Sequence, residues 1–134
     1  MVLIDTNIIL DLVFSRKNHE LAAAFFEKAS EIGERAYFSA STVTDLFYII
    51  RKETHDKERT YHVMSKVFKL VGVLAVTKED IEEAFGRRWK DFEDCVQYTV
   101  AKNNKVQYIL TSNKKDYEDT EVTVLTPEEY LELF

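Results

Sequence analysis

Short apolar runs alternate with longer helical patterns from one end of this chain to the other, and that alternation limits the fold more than any other feature. The runs are Val2-Leu3-Ile4, Ala36-Tyr37-Phe38-Ser39, Val73 to Val76, Val106 to Leu110 and Val122 to Leu125. Each is long enough for a buried strand and too short for a helix. The first leads into a helix from Asn7 to about Phe14, and a second helix runs from about Asn18 to Glu34. Leu21, Ala24, Phe25, Ala29 and Ile32 share one face of that second helix, and Gly33 marks its end. Ser41 or Thr42 caps a third helix reaching about Lys52, and Asp56 opens a fourth that Gly72 breaks after Leu70. Thr77 with Asp80 gives a capping-box start to a helix ending near Phe85, and Asp91 with Asp94 repeats the pattern for one ending near Asn104. Thr126-Pro127-Glu128-Glu129 opens the last helix, which carries Tyr130, Leu131 and Phe134. Strands separated by helices predict a parallel sheet covered on both faces, here one α/β domain over residues 1–134.

Composition narrows the function. The chain is 46% hydrophobic and 31% charged, enough to bury a core and present a charged surface, and 13% aromatic, enough to fill that core and an interface between copies. Cys95 is the only cysteine, which excludes an intramolecular disulfide and a Cys-based zinc site. An acid at position 5 without a basic leader argues against a secretory signal, and no apolar run approaches the roughly 20 residues of a membrane span. The expected location is the cytoplasm. A net charge of −6 argues against a protein held on nucleic acid by a broad basic surface. It suits an enzyme whose carboxylates attract divalent cations.

Ligands of open parallel sheets bind beyond the carboxyl ends of the strands, where strand order reverses. Asp5-Thr6-Asn7 follows the first strand; Thr111-Ser112-Asn113 follows the fourth, with Asp116 three residues on. Asp45, in the first turn or so of the third helix, and Asp94, in the first turn of the sixth, are the helix-borne acids. Each has a structural reading. Asp5 can cap the first helix, and Asp94 can partner an Asp91 cap. Asp45 leads into Leu46-Phe47-Tyr48-Ile49-Ile50, a segment expected to be largely buried, and needs a hydrogen-bond or charge partner there. Taken together, acids brought close repel, and a divalent ion relieves the repulsion. Oxygen-only ligands suit Mg²⁺ or Mn²⁺, which activate water for phosphodiester hydrolysis.

Three segments carry a resemblance to the PIN-domain family. Val2-Leu3-Ile4-Asp5-Thr6-Asn7 resembles the family's opening strand and acid. Asp91-Phe92-Glu93-Asp94-Cys95-Val96-Gln97-Tyr98 is similar to its third motif, and Ile109-Leu110-Thr111-Ser112-Asn113-Lys114-Lys115-Asp116-Tyr117 to its fourth. The resemblance implies a central five-stranded parallel sheet with strands one and four adjacent, flanked by helices. It implies an Mg²⁺- or Mn²⁺-dependent endoribonuclease cutting single-stranded RNA, often a homodimer and often a toxin paired with an antitoxin protein. It makes Asp5, Asp45 and Asp94 metal ligands, with Asn113 or Asp116 assisting catalysis. Asp45 stands where the family usually has Glu, and Asn113 where some members have a fourth acid. Those departures support an alternative, a catalytically inactive domain that binds RNA or protein. Thr6, Thr111, Lys114 and Lys115 are the expected substrate contacts, with turn hydrogen bonds or solvated charge as their plainer roles.

The remaining signals are structural by expectation. His19, His55 and His62 lie in polar stretches, and Cys95 follows Asp94 on an apolar helix as a small core residue. Asp11 and Asp91 are support for the acids rather than ligands. Phe47, Tyr48 and Ile50 are candidates for a dimer surface.

Overall fold

A computed structural model describes residues 1–118 and 120–134. In chain order the elements are β1 (Val2–Ile4), α1 (Thr6–Val13), α2 (His19–Glu31), β2 (Ala36–Ser39), α3 (Ala40–Thr54), α4 (Lys57–Leu70) and β3 (Gly72–Leu74). There follow α5 (Lys78–Arg87), α6 (Phe92–Asn103), β4 (Tyr108–Leu110), a 3-10 turn at Lys114–Asp116, β5 (Thr123–Leu125) and α7 (Pro127–Leu133). The strands form one sheet in the order β3-β2-β1-β4-β5, every neighbouring pair parallel. The five-stranded parallel sheet and the adjacency of β1 and β4 both match expectation.

Alternation along the strands builds a core on each face. Val2 and Ile4 of β1 and Leu110 of β4 point to one side, where they pack with Ile8, Phe25, Leu46, Met64 and Tyr130 from α1, α2, α3, α4 and α7. Leu3 and Ile109 point to the other side and meet Ala84 of α5 with Cys95, Tyr98 and Val100 of α6. Each of these strand residues is fully buried, and burying one Leu or Ile stabilises the fold by roughly 1.5–3 kcal/mol.

Some element ends differ from expectation, each for a local reason. α3 starts at Ala40, because Ser39 rather than Ser41 or Thr42 takes the N-cap position; the hydroxyls of Ser41 and Thr42 turn back to the Ser39 hydroxyl at 2.8 and 3.3 Å. Asp45 therefore sits in the second turn. β3 stops at Leu74, which pairs with Ser39, the last residue of β2. β4 begins at Tyr108 because Val106 belongs to the turn that closes α6, its N–H donating to the Ala101 carbonyl at 2.9 Å. α2 ends in a Schellman turn, with Gly33 at φ 73° and the Glu34 N–H bonded to the Ala29 carbonyl at 2.8 Å. Among the described residues no helix is long and apolar enough to cross a membrane.

Strand order reverses between β1 and β4, since β1 connects outward to β2 and β3 while β4 connects to β5 on the other side. The carboxyl ends of these two strands are therefore the switch point at which a ligand crevice opens.

Candidate active site

Asp5 follows β1 at that switch point. It occupies the N-cap position of α1, yet its carboxylate makes no capping bond. It turns across to β4 instead, where the buried Thr111 hydroxyl donates to Asp5 Oδ2 at 2.9 Å. The Asp5 N–H donates to the Leu110 carbonyl at 2.9 Å, so main chain and side chain both tie the two strand ends together. Burial pushes the Asp5 carboxyl above its ordinary range. The hydrogen bond from the Thr111 hydroxyl, with the nearby Thr6 backbone N–H and Gln97 amide, pulls it back, while the charge of Asp91 pushes it further up.

Asp94 comes to the same place from the start of α6. The Asp91 carboxylate caps that helix by accepting the Asp94 N–H at 3.0 Å. Asp94 does not return the bond, unlike Asp80 and Glu129 in the complete capping boxes of α5 and α7. Its carboxyl is thereby left for the crevice. Burial first, then the charges of Asp5, Asp91, Asp116 and Glu93, push Asp94 up to about 8. The carboxylate oxygens of Asp91, Asp94 and Asp116 lie within 4.8 Å of one another. Asn113 donates its side-chain amide to Asp116, and its backbone N–H donates to Thr111 Oγ1 at 3.1 Å. Asn113 and Thr111 thus act as orienting groups for Asp116 and Asp5.

The opposite wall comes from α3. Asp45, Tyr48 and Ile49 line a crevice of about 450 Å³ together with Asp5, Thr6, Asn7, Asp91, Glu93, Asp94 and Asp116. Two of its acids were not expected as direct members. Asp91 is expected as support, yet its carboxylate stands with those of Asp94 and Asp116. Glu93 was not singled out at all, although three acids in the four residues Asp91–Asp94 were the signal. Glu93 leans across to Asp45; burial and then the Asp45 carboxyl push it up to about 7. Tyr48 is 68% exposed and Ile50 fully buried, so the segment after Asp45 is not buried on all sides, and Ile50 has no surface to offer a partner.

The other expected contacts divide. The Thr6 hydroxyl is buried and has no hydrogen-bond partner among the described residues. Lys114 is exposed and paired with Glu129 at 3.0 Å. Lys115 is exposed and lines a smaller neighbouring depression. His19, read as a surface residue, is half-buried, with Nδ1 within 3.1–3.2 Å of the Asp11 and Leu12 carbonyls at the end of α1. Cys95 is buried in the core as expected.

The donor set suits a divalent cation. It is all oxygen, its members repel one another, and three of its carboxylates already stand close enough to share an ion. Protonation alone would relieve that repulsion only below the raised range of Asp94.

Known proteins share this arrangement of elements. The family model described as "PIN domain" matches residues 1–115. A curated relative, ribonuclease VapC1 of Aquifex aeolicus (strain VF5), is 27% identical over 137 residues, covering 98% of this chain and 93% of that protein. Among solved structures, VapBC2 from Rickettsia felis, bound to a DNA fragment from its promoter, has a TM-score of 0.72 at 13% identity, covering 94% of this chain and 98% of that one. A toxin–antitoxin complex from Klebsiella pneumoniae has a TM-score of 0.68 at 24% identity, covering 95% of this chain and 98% of that one. With the family model spanning most of its length and its acids gathered at the β1/β4 switch point, the chain belongs to the PIN-domain family.

Proposed function

We propose that this chain is a divalent-cation-dependent endoribonuclease that hydrolyses phosphodiester bonds of single-stranded RNA, and that it acts as the toxin of a toxin–antitoxin pair. The observation that carries the reading is the convergence of Asp5 and Asp94, 89 positions apart in sequence, on one crevice, where the charge of Asp5 helps push Asp94 up to about 8. Similarity to a ribonuclease of Aquifex aeolicus and to a toxin–antitoxin complex from Klebsiella pneumoniae supports it.

Asp5, Asp45 and Asp94 would hold Mg²⁺ or Mn²⁺, with Asp91 and Asp116 beside Asp94. A divalent ion there supplies positive charge that activates water and polarises the phosphate. The chain's own groups prepare the site. Thr111 fixes the Asp5 carboxylate, Asn113 fixes Asp116, and the Asp91 cap sets the start of α6 so that Asp94 faces inward. Thr6, which lines the crevice, offers a hydroxyl with no partner among the described residues. Of the two expected lysines, Lys115 forms no ion pair among the described residues and would meet phosphate, whereas Lys114 is held by Glu129. An antitoxin with a basic segment complements the acidic crevice. The reading includes a homodimer and a cytoplasmic location, with an inactive binding module as the alternative.

Purified protein with Mn²⁺ should cleave single-stranded RNA, and the activity should vanish in EDTA and in Asp5→Asn. Intact RNA and single-stranded DNA after incubation of wild-type protein with Mn²⁺ would overturn the reading in favour of a binding module. Growth arrest on expression, relieved by the small product of a neighbouring gene, tests the toxin role, and light scattering tests the dimer.

A further inference from the structure

The crevice is walled by acids, so a polyanionic strand needs cations beside it to lie across the site. Three cations of the flanking elements are already engaged. Arg87 bonds Glu83 at 3.0 Å and lies over the Tyr98 ring, Lys102 reaches the same Glu83 at 3.5 Å, and Lys114 is paired with Glu129. Lys90, in the turn between α5 and α6, and Lys115, in the 3-10 turn after β4, form no ion pair among the described residues.

These two lysines come from separate parts of the chain to one place. With Asp91, Asp116 and Glu118 they line a depression of about 200 Å³. Asp91 and Asp116 also line the main crevice, so the two hollows share a wall. The Lys90 N–H donates to Glu118 Oε2 at 2.9 Å, which pins the turn before α6 to the segment after β4 and holds the hollow's two sides together. Three carboxylates line the hollow beside the two lysines, so it takes a phosphate where a divalent cation in the crevice offsets Asp91 and Asp116. A strand lying across the carboxylates leads directly into it.

Resting on the nuclease reading, we infer that Lys90 and Lys115 form a subsite for a backbone phosphate flanking the one that is cleaved. Neither lysine lines the main crevice, so both act on strand binding and leave the chemical step alone. Each phosphate contact on a single strand contributes about 0.7 to the slope of log affinity against log salt.

The test uses a fluorescein-labelled single-stranded oligoribonucleotide of mixed sequence, with cleavage measured in Mn²⁺ across a salt series. The variants are Lys90→Ala/Lys115→Ala, the charge-keeping Lys90→Arg/Lys115→Arg, and Lys66→Ala/Lys69→Ala on α4, which removes the same charge away from both hollows. The alanine pair at 90 and 115 should raise KM about tenfold near physiological salt, keep kcat within about twofold, and flatten the salt slope by about 0.7. The arginine pair should restore KM, and the α4 pair should match wild type. A wild-type enzyme that cleaves while Lys90→Ala/Lys115→Ala keeps its KM and slope overturns the subsite and leaves the nuclease reading standing. So does an α4 pair that weakens KM equally. Wild-type protein that neither binds nor cleaves the strand overturns both.

Discussion

Removing one charge from the crevice should make the metal-free protein more stable, and Asp94→Asn is the substitution that reads this out. Asp94 is only 7% exposed, and its carboxyl is pushed from an ordinary 3.8 up to about 8 by burial and then by Asp5, Asp91, Asp116 and Glu93. A carboxyl raised in the folded state favours folding fully below the unfolded value, and the contribution is lost as pH rises through the folded one. The window therefore runs from about pH 4 to about pH 8. At about 1.4 kcal/mol per pH unit, the upper bound at pH 7.5 is about 5 kcal/mol. Water entering the open crevice lowers it to about 2–3 kcal/mol. The neutral amide carries no such penalty, so in EDTA at pH 7.5 Asp94→Asn should melt roughly 10 °C above wild type. The gap should shrink toward zero near pH 4. Asp80, Glu83 and Glu129, whose carboxyls are lowered, favour the fold above their ordinary values and lose that contribution as pH falls; both proteins carry them, so the difference between the two isolates Asp94. Mn²⁺ should raise the wild-type melting temperature at pH 7.5 and affect the variant little. A variant that melts at or below wild type in EDTA, or a gap that does not change with pH, would refute the crowding argument.

Two further substitutions probe the support of the site and the sheet. Thr111→Val keeps the shape of a fully buried side chain but removes the donor to Asp5 and the acceptor for the Asn113 N–H. It should cost about 1–3 kcal/mol by thermal melting and weaken Mn²⁺ binding by about 10- to 100-fold by titration; unchanged metal affinity would show that Asp5 needs no such orienting bond. A Cβ at Gly72 would meet the Tyr37 ring at 2.6 and 2.7 Å, so Gly72→Ala should cost about 1–3 kcal/mol in denaturant unfolding. Paired with Tyr37→Ala it should cost less than the sum of the two singles, and strict additivity would place the strain elsewhere.

The sheet was legible because its signal is periodic and repeated. Five apolar runs separated by helices admit few arrangements, and right-handed crossovers leave fewer still. The element ends were less legible because they depend on partners. β3 ends where β2 has no further residue to pair, and α3 starts where the Ser39 backbone leaves the sheet, neither of which propensity encodes. The site divides the same way. Asp5, Asp45, Asp94 and Asp116 were placed near one another by strand-end logic and family likeness, and they do line one crevice. Glu93 escaped because residue type and exposure give it the look of a solvated helix-start acid, and only the approach of α3 brings it against Asp45. Tyr48 and Ile50 show the same limit, since an all-apolar helix turn does not say which side is left uncovered.

Asp80 and Asp94 make the point sharply, because the local sequence treats them alike. Each stands three residues after a capping side chain, at the third position of a helix, and each cap accepts the N–H of its acid. At α5 the Asp80 carboxylate returns the bond to the Thr77 N–H at 2.9 Å and accepts the Asn103 amide at 2.7 Å. Burial raises Asp80, but those bonds outweigh it and leave the carboxyl below its ordinary range. At α6 no bond is returned, and Asp94 is raised to about 8. Capping grammar is the same at both helices, so it cannot be what separates a structural acid from a functional one. What separates them is the position of the helix start relative to the sheet. α6 begins at the β1/β4 switch point, where Asp5 and Asp116 already hold charge, and an acid there faces other acids rather than donors. Loss of a capping bond that the sequence allows therefore marks where the crevice opens, because the fold has left a buried carboxylate without the partner its own helix could have given it.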